Sequence, residues 1–143
     1  MTDLVLRPDR IAAGGDAIAR HPDGRVVFVD GAIPGETVRV RLTSAKKDFV
    51  RAAVAEVIEA SPDRVEPPCR HVDAGCGGCG WQHISLVRQR RLKVELVADS
   101  VRRIAKLGPE ADVAALVELG ADLPGDAFRT TVRAGVTDDG RLG

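Results

Sequence analysis

Three cysteines, Cys69, Cys76 and Cys79, stand in a C-x6-C-G-G-C pattern, and they are the chain's full complement of cysteine. A C-x2-C pair with a third thiol nearby and glycines between is the residue pattern of a thiolate metal site. A structural zinc or iron–sulfur site closed by cysteine alone takes four. Small buried thiols are the bland alternative, but this stretch is polar and glycine-rich. A redox C-x-x-C pair normally opens a helix in a βαβ context that the sequence does not predict here. Zinc would be completed by His71 or by His83, which lies four residues after Cys79. Against zinc, the C-x6-C spacing departs from the paired knuckles of ribbons and fingers. Glycines at 75, 77, 78 and 80 would let the backbone crowd a cluster and donate N–H groups to sulfur, which suits iron–sulfur. Spacing leaves both metals open.

A second set of residues points to nucleic acid. Arg39, Arg41, Lys46, Lys47 and Arg51 project from, or lie between, two predicted strands, and Phe49 sits among them. Cations meet phosphates and an aromatic ring stacks a base. The competing reading is a solvated strand face with Phe49 in the core, and taken alone it is the commoner one. Trp81, beside the cysteines, reads as packing around that site.

These groups need elements to position them. Residues 4–6, 17–20, 25–29, 37–43 and 49–58 read as five short strands, and His21-Pro22-Asp23-Gly24 is a turn in which Pro fixes φ and Gly takes a positive one. Val38, Val40 and Leu42 alternate with Arg39, Arg41 and Thr43. The phase slips near residues 56–58, where a bulge would bend the sheet. Five strands without a helical pattern between them predict a five-stranded OB- or SH3-like barrel over residues 1–60. Residues 61–84, entered through Ser61-Pro62 and Pro67-Pro68, hold the cysteines and are too poor in apolar side chains to order themselves without ligand bonds. Residues 85–143 begin with an amphipathic helix. Ser85 is its N-cap, Gly108-Pro109 its stop, and Val87, Val94, Val97, Val101 and Ile104, joined by Leu86 and Ala98, its apolar face. Residues 111–119 follow as helix or strand. Residues 128–136 then read as a strand entering a hairpin turn at Asp138-Asp139-Gly140, whose return strand the chain does not reach. The fold class is therefore mainly β with α, ending in an incomplete α+β segment.

Composition narrows the function classes. Basic and acidic residues balance at 21 each, with the basic excess in residues 61–107 and the acidic excess in residues 108–143. Aromatics are only 3%, so aliphatic side chains must fill the core. The N-terminus has no apolar stretch of signal-peptide type, and no run approaches membrane-spanning length. A reduced, cytoplasmic, membrane-free protein is expected.

The order G-x-A-I-A-R, V-F-V-x-G-A-I-P-G-E, S-P-x-R-V-x-P-P-C and C-G-G-C-x-W-Q-H, followed by a basic helix, resembles the N-terminal half of bacterial RNA (uracil-5-)-methyltransferases that use S-adenosylmethionine. Residues 14–36 and 61–89 carry the most specific likeness. The resemblance implies that the barrel is a TRAM domain, an RNA-binding module, and that residues 129–133 open the family's central domain. It implies a [4Fe-4S] cluster with Cys69, Cys76 and Cys79 as three ligands and the fourth beyond Gly143. The family commonly spaces its first two cysteines by five residues, against six here. The uracil-attacking thiolate, its carboxylate base and the S-adenosylmethionine site would all lie in a C-terminal domain outside this chain. None of the three cysteines is then catalytic, and the chain alone is expected to be inactive. Its partner would be ribosomal or transfer RNA, not DNA, and it would act as a monomer. A stand-alone TRAM-type RNA-binding protein with a zinc or cluster site is the alternative.

Overall fold

The computed structural model describes residues 3–72, 76, 78–117, 124, 125, 136 and 140. Six strands and one long helix carry the architecture: β1 (Asp3–Leu6), β2 (Arg10–Ile11), β3 (Ala17–Arg20), β4 (Val26–Asp30), β5 (Thr37–Ala45), β6 (Phe49–Glu59) and α1 (Leu86–Ala105). They form one curled sheet in the order β1-β5-β6-β4-β3-β2. All pairings are antiparallel except β4 with β6, which run parallel because β5 intervenes in the chain between them. The expectation of five strands is corrected to six, since the two-residue β2 is too short to show an alternation. The curled sheet is a half-barrel, in keeping with the expected barrel plus helix; among the described residues β2 and β1 share no ladder.

Alternation decides which way each strand faces. Ala17 and Ala19, Val27 and Val29, Val38 and Val40, and Val50 and Ala52 point inward and are almost fully buried, with Ile33 among them. The core is therefore aliphatic, as an aromatic-poor composition requires. In the β5–β6 ladder, Val38 opposes Val57 while Thr37 opposes Glu59, so Ile58 is left without an opposite residue. That extra residue is the bulge expected near residues 56–58, and it bends the long strands into the curl. The β3–β4 turn also forms as expected. Gly24 has φ +91°, its N–H donates to the His21 carbonyl at 2.8 Å, and the His21 N–H donates to the Arg25 carbonyl at 2.9 Å.

Helix α1 starts where its cap chemistry puts it: the Ser85 hydroxyl accepts from the Arg88 N–H at 3.3 Å. It ends at Ala105, three residues before the expected Gly108. Lys106 takes the left-handed conformation (φ 53°) and its N–H returns to the Arg102 carbonyl. The expected apolar face holds at Ala98, which is buried, and is corrected elsewhere. Leu92 is fully buried in the core cluster and Leu96 packs against it, one helical turn apart. Val87, Val97, Val101 and Ile104 stay exposed, Ile104 at 83%. The helix seats itself on the sheet through its leucines, whose reach matches the edge around Ile11; the valine stripe points elsewhere. Residues 111–119 contribute a single 3-10 turn, Ala114–Leu116. The strand expected at residues 128–136 and its hairpin lie outside the described residues, apart from Val136 and Gly140.

Candidate nucleic-acid interface and cysteine segment

The segment entering the cysteines is clamped to the sheet by a buried ion pair. Glu36, with no exposed surface, receives the Arg64 guanidinium through Nε at 2.6 Å and Nη2 at 2.7 Å, the Ile33 N–H at 2.9 Å and the Ser61 N–H at 3.1 Å. Arg64 Nη2 also donates to the Gly31 carbonyl at 2.8 Å. Burial would raise the Glu36 pKa, but the Arg64 guanidinium and the two backbone donors outweigh it and hold the carboxyl below the ordinary range. Further bonds continue the clamp along residues 61–85. Val65 N–H donates to the His83 carbonyl, Ser85 N–H to the Asp63 carbonyl, and Arg64 bridges Ile84. Trp81 Nε1 donates to the Gly15 carbonyl at 2.9 Å. Gly15 is at φ +98°, and a Cβ there would lie 3.1 Å from the same indole nitrogen, so both backbone and ring require glycine. Trp81 is thus a packing residue, as expected.

The thiols sit at the outer end of this clamp. Cys69 is half-buried, and its N–H donates to Gln82 Oε1 at 3.1 Å; Cys76 and Cys79 are exposed. Cys76 N–H donates to the His71 carbonyl at 3.0 Å. None of the three is a core residue, so the buried-thiol reading is set aside. Among the described residues, however, no three His, Cys, Asp or Glu side chains gather at one point. His83 is not assembled with the cysteines either. Its ring is engaged by the Ala32 carbonyl beside Arg64 and Glu36, with Nε2 buried and without a partner. Burial first, then the Arg64 charge, push its pKa down, against the Ala32 bond and the Glu36 and Asp30 charges.

The six residues predicted to meet RNA divide into three places. Arg39 and Arg41 lie on the outer side of β5, where Arg39 pairs with Glu56 at 2.8 Å and Arg41 is exposed. Lys46 and Lys47 form the exposed β5–β6 tip. It is tied to the β3–β4 turn by Arg25 Nη1, which donates to the Lys46 carbonyl at 2.8 Å. Arg25 in turn hydrogen-bonds Asp23 and holds that carboxyl well below its ordinary range. Phe49 and Arg51 come together on the outer side of β6, so Phe49 is not a core residue. They meet Phe28, which the sequence reading had not assigned. The Phe28 and Phe49 rings pack edge to face at 5.7 Å between centroids, and the Arg51 guanidinium lies over Phe28 at 5.6 Å. Asp16 holds Arg51 at 2.9 Å. The signal for Phe28 was available: in V-V-F-V-D it shares its face with Asp30, out of phase with the core positions Val27 and Val29.

Comparison with known proteins fits this geometry. Residues 4–55 match the TRAM domain family. The chain is 42% identical to an "uncharacterized RNA methyltransferase" of Streptomyces avermitilis over 142 residues, covering 93% of this chain and 33% of that protein. It is 48% identical over 108 residues to the 23S rRNA (uracil(1939)-C(5))-methyltransferase RlmD of Methylococcus capsulatus, covering 76% of this chain and 24% of the relative. To RlmD of Halomonas elongata it is 43% identical over 137 residues, covering 96% and 26%. The chain thus spans between a quarter and a third of the length of these curated relatives. Residues 4–55 thus match the TRAM domain, and the chain is similar to the N-terminal part of RNA (uracil-5-)-methyltransferases.

Proposed function

We propose that this chain is the RNA-docking portion of an enzyme that methylates uracil C5 in ribosomal or transfer RNA, and that Cys69, Cys76 and Cys79 are ligands of a [4Fe-4S] cluster. The observation that carries the reading is the TRAM match over residues 4–55, the same strands that present Lys46, Lys47, Phe49 and Arg51. Cations spread over a curled sheet neutralise phosphates and displace counterions, while the clamp through Glu36 and Trp81 keeps the cysteine segment at a fixed place beside them. Methyl transfer from S-adenosylmethionine belongs, in this reading, to segments outside these residues. The protein works in the cytoplasm as a monomer.

For the cluster, the support is the donor set: three thiols within eleven residues of a glycine-rich loop, none with a packing role. When bound, a cluster would cross-link that loop, and the thiols would have to draw together to hold it. Two measurements test the proposal. The chain should bind single-stranded RNA with an affinity that falls with salt, log K against log [salt] having a slope of about −0.7 per phosphate contacted. No binding at low salt would sink the docking role. Anaerobic reconstitution with iron and sulfide should give a brown chromophore with both elements retained; a single bound zinc, or no metal, would remove the cluster.

A further inference from the structure

The two phenylalanines of the sheet occupy an unusual place. Every inward position is filled by an aliphatic or alanine side chain, yet Phe28 and Phe49 lie side by side on the outer surface, half-buried, among arginines. An outward aromatic pair gains nothing for the core. The Arg51 guanidinium covers one face of the Phe28 ring, and the ring's remaining surface borders an open depression.

Phe28 also borders a depression of about 460 Å³ at the seam between β2–β3 and α1, a volume within the range of ligand-binding clefts. Its apolar wall is Ile11, Ile18 and Phe28 from the sheet with Leu96 from the helix, and Arg10, Asp99 and Arg103 stand around it. Asp99 holds Arg103 at 3.0 Å across one helical turn, as Asp16 holds Arg51 on the other side of Phe28. Each carboxylate therefore orients a guanidinium beside the aromatic ring. A flat apolar wall next to oriented guanidiniums suits a planar, partly apolar group carried on an anionic backbone.

We propose that this seam, with Phe28 and Phe49 at its mouth, is a stacking subsite for an unpaired base of single-stranded RNA. The proposal rests on the RNA-docking role above and extends it to a defined site. The base stacks on the phenylalanine pair and enters the seam. Arg10, Arg51 and Arg103 meet the adjoining phosphates, and the strand continues toward the Lys46–Lys47 tip. Arginine-flanked aromatics bind bases with little sequence preference, so the subsite selects single strands over duplex.

The test uses the 143-residue chain, a short fluorescein-labelled oligouridylate, and a matched abasic strand with the same phosphates and no bases, both read by fluorescence anisotropy. Phe28→Ala is expected to weaken oligouridylate binding about 5- to 100-fold while leaving the abasic strand's affinity unchanged. Phe28→Leu and Phe49→Leu, which keep apolar volume and so guard against misfolding, should show the same selectivity for bases. Lys46→Ala with Lys47→Ala should weaken both strands alike and flatten the salt slope. If both leucine variants bind oligouridylate as the parent does, the stacking subsite is wrong and the docking role stands. An equal loss on both strands would also overturn the subsite, since it would report general damage rather than stacking. Failure of the parent chain to bind either strand removes both proposals.

Discussion

The curled sheet and the cysteine segment behind it are ordered by opposite means. In the sheet, order comes from many interchangeable contributions: alternating Val, Ala and Ile side chains bury a continuous aliphatic core, and ladders satisfy the backbone. Among the described residues of 61–85 there is no strand and no helix, and only Ile84 is fully buried. Their position depends on a few directional bonds to the sheet, above all Arg64 to Glu36 and Trp81 to Gly15. A diffuse core tolerates the loss of one contact. A clamp of few bonds does not, and the placement of the three thiols hangs on it.

Removing Glu36 should strain this contrast most. Glu36→Ala leaves the Arg64 guanidinium facing the sheet interior without its partner, and frees the Ile33 and Ser61 N–H groups; the expected loss is about 3 kcal/mol in urea unfolding. A loss under about 0.5 kcal/mol, the scale of an ordinary surface substitution, would show that the clamp is not what fixes residues 61–64. Trp81→Phe probes the segment alone. It deletes one hydrogen bond to Gly15 while keeping most of the ring, so global stability should fall by only about 1 kcal/mol. Cys69 should meanwhile react measurably faster with a thiol reagent as the segment loosens. Unchanged thiol reactivity would place the ordering elsewhere.

Protonation acts on the same clamp. Glu36 is held below its ordinary value of 4.5, so its contribution to stability is present above that pH and lost as pH falls through its folded value. His83 is held below 6.5, so the unfolded chain takes up the proton first. Its neutral, buried form supports the fold fully above about pH 6.5 and progressively less as pH drops toward its folded value. The melting temperature should therefore decline from about pH 6.5 downward, and His83→Leu should flatten the upper part of that decline while leaving the part below pH 4.5. An unaltered profile in that variant would remove His83 from the linkage. The smallest effect belongs to the sheet surface: Arg39→Ala, which breaks an exposed pair with Glu56, should cost less than about 1 kcal/mol.

Much of the sheet was legible in the residues. Val38, Val40 and Leu42 against Arg39, Arg41 and Thr43 announce which face is inside, His21–Gly24 announces a turn, and Ser85 announces the helix start. The short β2 was not legible, because two residues have no periodicity; the pairing of Arg10 with Ile18 exists only once β3 is beside it. The seat of α1 was misread for a related reason. An apolar stripe states that a helix has a side fit for burial. Which side meets the sheet depends on the shape of the partner surface, and Leu92 and Leu96 reach it where the valines do not.

The residues proposed to bind metal and RNA divide along the same line. Residue types and spacing mark Cys69, Cys76 and Cys79 as candidate ligands, and Lys46, Lys47, Phe49 and Arg51 as candidate RNA contacts, because ligand chemistry and charge are properties of side chains. Tertiary structure decided what those side chains stand next to. It brought Phe28 from β4 against Phe49 and Arg51 through a parallel pairing that skips a strand, and it engaged His83 at Ala32 beside the Glu36–Arg64 pair. Those are contacts between residues distant in the chain, and they follow from the packing of one aliphatic core rather than from any local pattern.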